Sequence, residues 1–151
     1  MEHILETALE IPLPVERVFA FFAEASNLER ITPRELHFRI VTPLPIDLGP
    51  GTLIQYRLRL FGIPFGWTTR ISHWDPPRQF VDEQLRGPYA LWEHTHTITA
   101  TESGTLVRDR VRYRLPLWPL GELAAPLVRR QLVRIFSYRE KAVLAALLGQ
   151  W

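Results

Sequence analysis

The sequence predicts an α+β fold: a curved antiparallel sheet of about seven strands around a long C-terminal helix, with two short helices after the first strand. Three observations carry this. Runs that alternate apolar and polar residues recur through the middle of the chain, separated by turns such as "DPP" and "RGP". Both flanks change to a helical period, briefly before Pro33 and at length after Leu120. The 151 residues contain no repeat or low-complexity linker, so the expectation is one domain over residues 1–151.

"HILETALEI" (His3–Ile11) alternates and stops at Pro12, which makes it the first strand. Val15, Val18, Phe19 and Phe22 then recur at spacings of three and four, the stripe of a short amphipathic helix. "SNLERITP" predicts a second short helix capped by Ser26 and stopped before Pro33. Strands follow at Leu36–Val41, Leu53–Phe61, Phe65–Trp74, Gln79–Leu85, Leu91–Thr99 and Thr105–Leu115. From about Glu122 to Leu148 the pattern is helical, with Val128, Leu132, Ile135, Phe136, Val143 and Leu147 on one stripe and Pro126 suited to the first turn. A sheet with one apolar face and an amphipathic helix bury both surfaces when the sheet curls around the helix.

Composition narrows the function. The chain has no cysteine, which excludes disulfides, thiolate nucleophiles and Cys-based zinc sites. "MEHILETALE" lacks the pattern of a secretory signal, and no apolar run approaches the ~20 residues of a membrane span, so a cytoplasmic protein is expected. Lys141 is the only lysine among 18 basic residues, 16 acidic residues are interspersed, and no recognition motif for nucleic acid appears. Arg57, Arg59, Arg108, Arg110, Arg112 and Arg114 are assigned to a solvated outer sheet face.

That assignment turns their neighbours inward: Tyr56, Leu58, Trp67, Thr69, Ile71, Phe80, Asp82, Gln84, Val107, Asp109, Val111 and Tyr113. "LWEHTHTIT" adds Trp92, His94, His96 and Ile98 to the same face. If "RGP" and Glu102–Ser103 are hairpin tips, Asp82 falls near His94, Gln84 near Trp92, His96 opposite Asp109 and Trp92 opposite Tyr113. The candidate ligand-binding set is therefore Tyr56, Trp67, Thr69, Phe80, Asp82, Gln84, Trp92, His94, His96, Asp109, Tyr113 and Phe136. His96 held by Asp109 is the candidate acid–base pair. Three readings of the cluster stand open: the polar spots of a ligand pocket, a self-satisfied buried network, or a His-x-His metal site. The expectation is no metal and no cofactor. No nucleophile elbow, phosphate loop or zinc-protease helix is present.

The order of elements, with "IPLPVERVFAFFAEASNLERITP" and "GTLIQYRLRLFGIPFGWTTRISHWDPPRQFVDEQLRGPYALWEHTHTIT", resembles the START-like, helix-grip superfamily (SRPBCC) across nearly the whole chain. The second stretch is similar to the bacterial polyketide cyclase/dehydrase-type ligand-binding branch. The resemblance implies a deep cavity between sheet and C-terminal helix for a lipid, polyketide, isoprenoid or similar apolar molecule, and the superfamily includes both binders and enzymes. The functions expected are binding of a hydrophobic or amphipathic small molecule, or polyketide cyclase/dehydratase-like catalysis. A regulatory interaction through the arginine-rich outer face is the remaining alternative.

Overall fold

The computed structural model describes residues 1–149. β1 (His3–Ile11) is followed by α1 (Val15–Ala23) and the one-turn α2 (Asn27–Arg30). Then come β2 (Arg39–Ile40), β3 (Leu53–Leu60), β4 (Ile63–Asp75), β5 (Gln79–Arg86), β6 (Leu91–Thr101), β7 (Gly104–Arg114) and α3 (Ala125–Leu148). They build one antiparallel sheet in the order β1-β7-β6-β5-β4-β3-β2. β1 and β2 are its two edges although they are consecutive in sequence, so the α1–α2 segment must cross the full width of the sheet. Val18 and Phe19 of α1 and Val143 of α3 meet Phe80, Ile98 and Val107 of the sheet in one buried cluster. Leu132 and Phe136 of α3 meet Leu5, Val111 and Tyr113 in another. Each such side chain contributes about 1.5–3 kcal/mol by leaving water.

The helix-grip architecture expected from the sequence is present, with four local departures. The expected strand Leu36–Val41 reduces to Arg39–Ile40, because Arg34–Leu36 form a 3₁₀ turn and His37 adopts a left-handed φ of 47° that breaks the extended run. Ser26 does not cap α2: its backbone is already helical and its hydroxyl donates to Glu24, whereas an N-cap needs extended φ/ψ. α3 starts at Ala125 rather than Glu122, since Leu120–Ala124 are wound as a 3₁₀ turn; Pro126 does sit in its first turn. The β3–β4 turn is Phe61–Gly62, both at positive φ, instead of the "GIP" segment.

β4 also breaks its own alternation. Trp67, Thr69 and Ile71 turn inward, but a register shift between Ile71 and His73 puts Trp74 on the inner side and leaves His73 exposed. A bulge of this kind bends its strand and increases the twist. On the outer face, Arg112 bonds Glu2 and Glu93, and Arg70 bonds Glu83. Such exposed pairs are worth about 0–1 kcal/mol each.

The β6–β7 hairpin docks on the end of β1 through Gly104. A Cβ at this position would lie 2.2 Å from the Ile11 carbonyl oxygen and 2.8 Å from Pro12 Cα. Gly104→Ala is expected to destabilise the protein by about 1–3 kcal/mol, the range for overpacking a tight site, measured by urea unfolding. An unchanged midpoint would show that the two segments are free to part.

Candidate functional site

β5, β6 and β7 lie side by side, and each contributes acids or imidazoles to the inner face of the sheet. Asp82 is directly across from His94, His96 from Asp109, and Trp92 from Tyr113, the register read from the hairpin tips. The hydrogen bonds nevertheless run diagonally. His94 donates through Nε2 to Asp109 Oδ1 (2.7 Å), and His96 through Nε2 to Asp82 Oδ2 (2.6 Å). The expected partners are thus exchanged. Directly opposed Cβ atoms are only about 4.5–5.5 Å apart, too close for an imidazole and a carboxyl to meet end to end, while the diagonal of about 7–8 Å suits their combined length. The two imidazoles stack at 3.7 Å, and Phe80 stacks on the outer side of His96 at 4.0 Å.

Asp109 is the hub. Besides the bond from His94, it accepts a hydroxyl from Thr7 (3.4 Å) and lies 3.7 Å from the Arg139 guanidinium. Its Oδ1 is also 3.3 Å from His96 Nδ1, but off the line a hydrogen bond requires. His96 Nδ1 is thereby the one buried side-chain polar atom without a hydrogen-bond partner among the described residues.

Burial acts on every charge in this cluster, and the neighbours decide the outcome. For Asp109 burial raises the pKa, yet the Arg139 charge and the two imidazoles hold it well below the ordinary carboxylate value. Asp82 is likewise lowered, its burial outweighed by the bond and charge of His96 with help from His94 and Arg139. The histidines diverge. Burial, with repulsion from His96, keeps His94 below the usual 6.5, whereas the two aspartates overcome burial and lift His96 above it. Near pH 6.5 two carboxylates are therefore balanced by Arg139 and the His96 imidazolium, with His94 neutral. Because the ionised acids can only accept, both Nε2 atoms carry hydrogen. The neutral His94 then keeps an unprotonated Nδ1.

The cluster forms one wall of a cavity of about 150 Å³ between the sheet and α3. Of the candidate residues, Tyr56, Trp67, Thr69, Asp82, Trp92, His94, His96 and Phe136 line it. Trp67 and Trp92 pack edge to face at 5.2 Å, and Trp67 Nε1 donates to Thr69 Oγ1 (3.0 Å). Phe80 instead borders a smaller chamber of about 50 Å³ on the far side of Asp82 and His96. Asp109 stands behind the histidines. Gln84 is not on the wall: its amide bonds both the N–H and the carbonyl of Tyr89 and shapes the β5–β6 turn. Tyr113 is fully buried against His3 and Tyr89. A larger recess along Pro12–Glu16 and Ile98–Gly104 is open to solvent and contains none of the imidazoles or acids of the cluster.

Arg139 escaped the sequence reading. The signal was there, since Leu132, Phe136, Arg139 and Val143 follow a +4, +3, +4 spacing, so an arginine occupies a position of the buried stripe. It is held over the rings of Phe22 (5.4 Å) and Phe136 (5.7 Å). Arg139 also bears on the metal reading. Donor atoms of Asp82, His94 and His96 lie within 4.8 Å of one another. With both Nε2 atoms bonded to aspartates, a divalent cation held through Nε2 would have to displace those hydrogens, and it would join a cluster that already holds the Arg139 guanidinium.

Comparison with known proteins follows this architecture. The family model described as "Polyketide cyclase / dehydrase and lipid transport" matches residues 11–137. No curated protein matches the chain. Among solved structures, the Zhui aromatase/cyclase from Streptomyces sp. R1128 superposes with a TM-score of 0.78 at 16% identity, covering 97% of this chain and 93% of that one. TTHA0849 from Thermus thermophilus gives 0.72 at 22% identity, with 97% and 99% covered. Ara h 8.0201 gives 0.63 at 18%, with 96% and 99% covered. These likenesses are of fold. With the family model spanning both the first helices and half of α3, the chain, which has the helix-grip fold, belongs to the polyketide cyclase/dehydrase and lipid transport family.

Proposed function

We propose that the protein binds a hydrophobic or amphipathic small molecule in the internal cavity, with its one polar end against His94 and His96. The observation that carries this reading is the composition of the wall: aromatic and aliphatic on most sides, with a single buried, charge-balanced polar patch. Pockets that orient small ligands have this character. Size limits the ligand. Drug-sized ligands occupy about 300–1,000 Å³, while an apolar cavity of about 150 Å³ accommodates a benzene. The cavity of about 150 Å³ thus suits a single ring or a short chain as it stands, and a larger lipid or polyketide requires α3 or the turn at Leu36 to move outward. The unprotonated His94 Nδ1 is suited to accept from a ligand hydroxyl, whereas His96 has its Nε2 on Asp82 and its Nδ1 buried beside Asp109.

A second reading, a cyclase or dehydratase, is favoured by one specific observation: the two stacked imidazoles have pKa values moved in opposite directions. A divergent pair is how an acid and a base coexist at one pH. On a β-hydroxy ketone, His94 would take the proton from the carbon beside the carbonyl, whose C–H electrons become the new C=C bond. His96 would protonate the departing hydroxyl through Nε2, which requires the substrate oxygen to displace Asp82 from that hydrogen, and the hydroxyl leaves as water. This assigns the base to His94, where the sequence alone pointed to His96.

Binding is tested with 4-nitrophenol, a single ring that also quenches tryptophan, read on the cavity tryptophans Trp67 and Trp92. Saturable quenching is expected, and Ile135→Trp, which fills the cavity from its partly exposed wall, should weaken it at least about tenfold, the equivalent of ~1.4 kcal/mol. Quenching that does not saturate, or that Ile135→Trp leaves unchanged, would remove the case for a cavity ligand. For catalysis, His94→Gln should reduce dehydration of a β-hydroxy ketone by about 100-fold or more while nitrophenol affinity changes much less. A parallel fall in both would leave His94 as a binding group.

The charge states make a separate statement about pH. His96, raised, contributes stability that is present below the ordinary 6.5 and lost as pH rises through its folded-state value. His94, lowered, contributes stability that is present above 6.5 and lost as pH falls through its own value. Histidine NMR titration is expected to give two midpoints on opposite sides of 6.5. In Asp82→Asn the higher one should move down. Coincident midpoints would mean that the cluster does not distinguish the rings.

A further inference from the structure

Large apolar side chains are unusually exposed around the start of α3. Leu117 and Leu123 are 80% and 84% exposed, and Trp118 and Leu120 between them are exposed nearly as far. Leu120, Leu123, Leu127, Arg130 and Arg134 follow +3, +4, +3, +4, so they share one outward stripe along the 3₁₀ turn and α3: leucines first, arginines after. Leu127, Arg130 and Arg134 border a surface groove whose opposite side is the β3–β4 turn, with Phe61 and Arg59. Phe61 (φ 52°) and Leu117 (φ 61°) are both held in the left-handed region while exposing their side chains. A bulky residue rarely adopts that conformation, at a cost of about 1–2 kcal/mol. Ordinary turn chemistry would place Asn or Gly there.

Charge identifies the partner. On the outer sheet face Arg70, Arg110 and Arg112 are paired with glutamates, whereas Arg57, Arg108 and Arg114 make no ion pair among the described residues. At this groove Arg59 and Arg130 make no ion pair among the described residues, and Glu35, bonded to Arg134, is the only acid on its walls. The end of the molecule is thus apolar and basic together, the combination that seats a helix in the headgroup layer of an anionic bilayer, with leucines and tryptophan in the acyl boundary and arginines at the phosphates. α3 itself is not long and apolar enough to cross a membrane. The groove also shares Leu36 and Ile135 with the cavity, so a seated surface would bring the two to within one side-chain layer of each other.

We infer that the 117–134 stripe and the Phe61 turn form a peripheral docking surface for anionic lipid bilayers. The surface lies outside the cavity, and its test does not turn on what the cavity holds. Co-sedimentation with phosphatidylcholine vesicles, with and without phosphatidylglycerol, measures it. Wild type should partition onto the anionic vesicles and be released by 1 M salt, where the screening length is about 3 Å. Arg59→Glu/Arg130→Glu should lower partitioning by at least about 30-fold, from about a fivefold effect per surface arginine. Leu123→Glu/Leu127→Glu should do likewise with an unchanged melting temperature, since both side chains are exposed. Equal partitioning onto neutral vesicles, wild-type behaviour of either double variant, or a wild-type dimer that Leu123→Glu/Leu127→Glu dissociates would each overturn the inference, the last by showing that a second copy covers the stripe.

Discussion

Neutralising two carboxylates in the interior is the constraint on which the rest of this structure depends. Asp82 and Asp109 sit on the concave side of the sheet, where an unpaired charge would cost several kcal/mol. Each is matched by a partner from a different element: His96 of β6 for Asp82, and His94 of β6 with Arg139 of α3 for Asp109. The cluster therefore specifies three things at once. It fixes the β5–β6–β7 register, because a one-residue slip would carry the imidazoles to the solvent face. It fixes the azimuth of α3, because Arg139 must face the sheet. It also makes one wall of the cavity rigid and polar while the others remain apolar.

Rigidity on one side throws any accommodation onto the other. The ion cluster sits on three adjacent interior strands of the meander, clamped by cross-strand bonds, and Phe80 and Phe136 pack around the imidazoles. The opposite wall is built from Leu36, on a 3₁₀ turn, and Ile135, partly buried on α3, beside an edge strand only two residues long. Few backbone hydrogen bonds hold that side. A pocket with a fixed polar end and a yielding apolar end suits ligands that share a headgroup and differ in their bodies, and it allows one framework to serve as carrier or as catalyst. Under the proposed function, the difference between those roles would lie in what His94 does with a bound molecule.

Much of this was legible in the residue pattern, because a strand has a side-chain period of two and short turns transmit phase from one strand to the next. The inward set containing Asp82, His94, His96 and Asp109 follows from placing the arginines outside and counting back from two hairpin tips, and the cross-strand neighbours found are those the count gives. Where alternation is interrupted, the count fails. The bulge after Ile71 reverses the phase of β4, and His37 cuts β2 short. Gln84 was on the right strand, but a polar side chain near a turn finds unpaired backbone sooner than it finds a cavity.

Sequence alone determined the helix-grip order of elements, the absence of thiol chemistry and the clustering of two histidines with two aspartates, since each depends on residue identity and local period. Tertiary structure decided which aspartate each histidine serves, the recruitment of Arg139 and the small volume of the cavity. The diagonal pairing is set by reach across twisted strands, and the arginine by a helix 30 residues downstream of Asp109 in the chain. The volume is what remains after every side chain has packed. All three depend on distances between segments that no local pattern encodes.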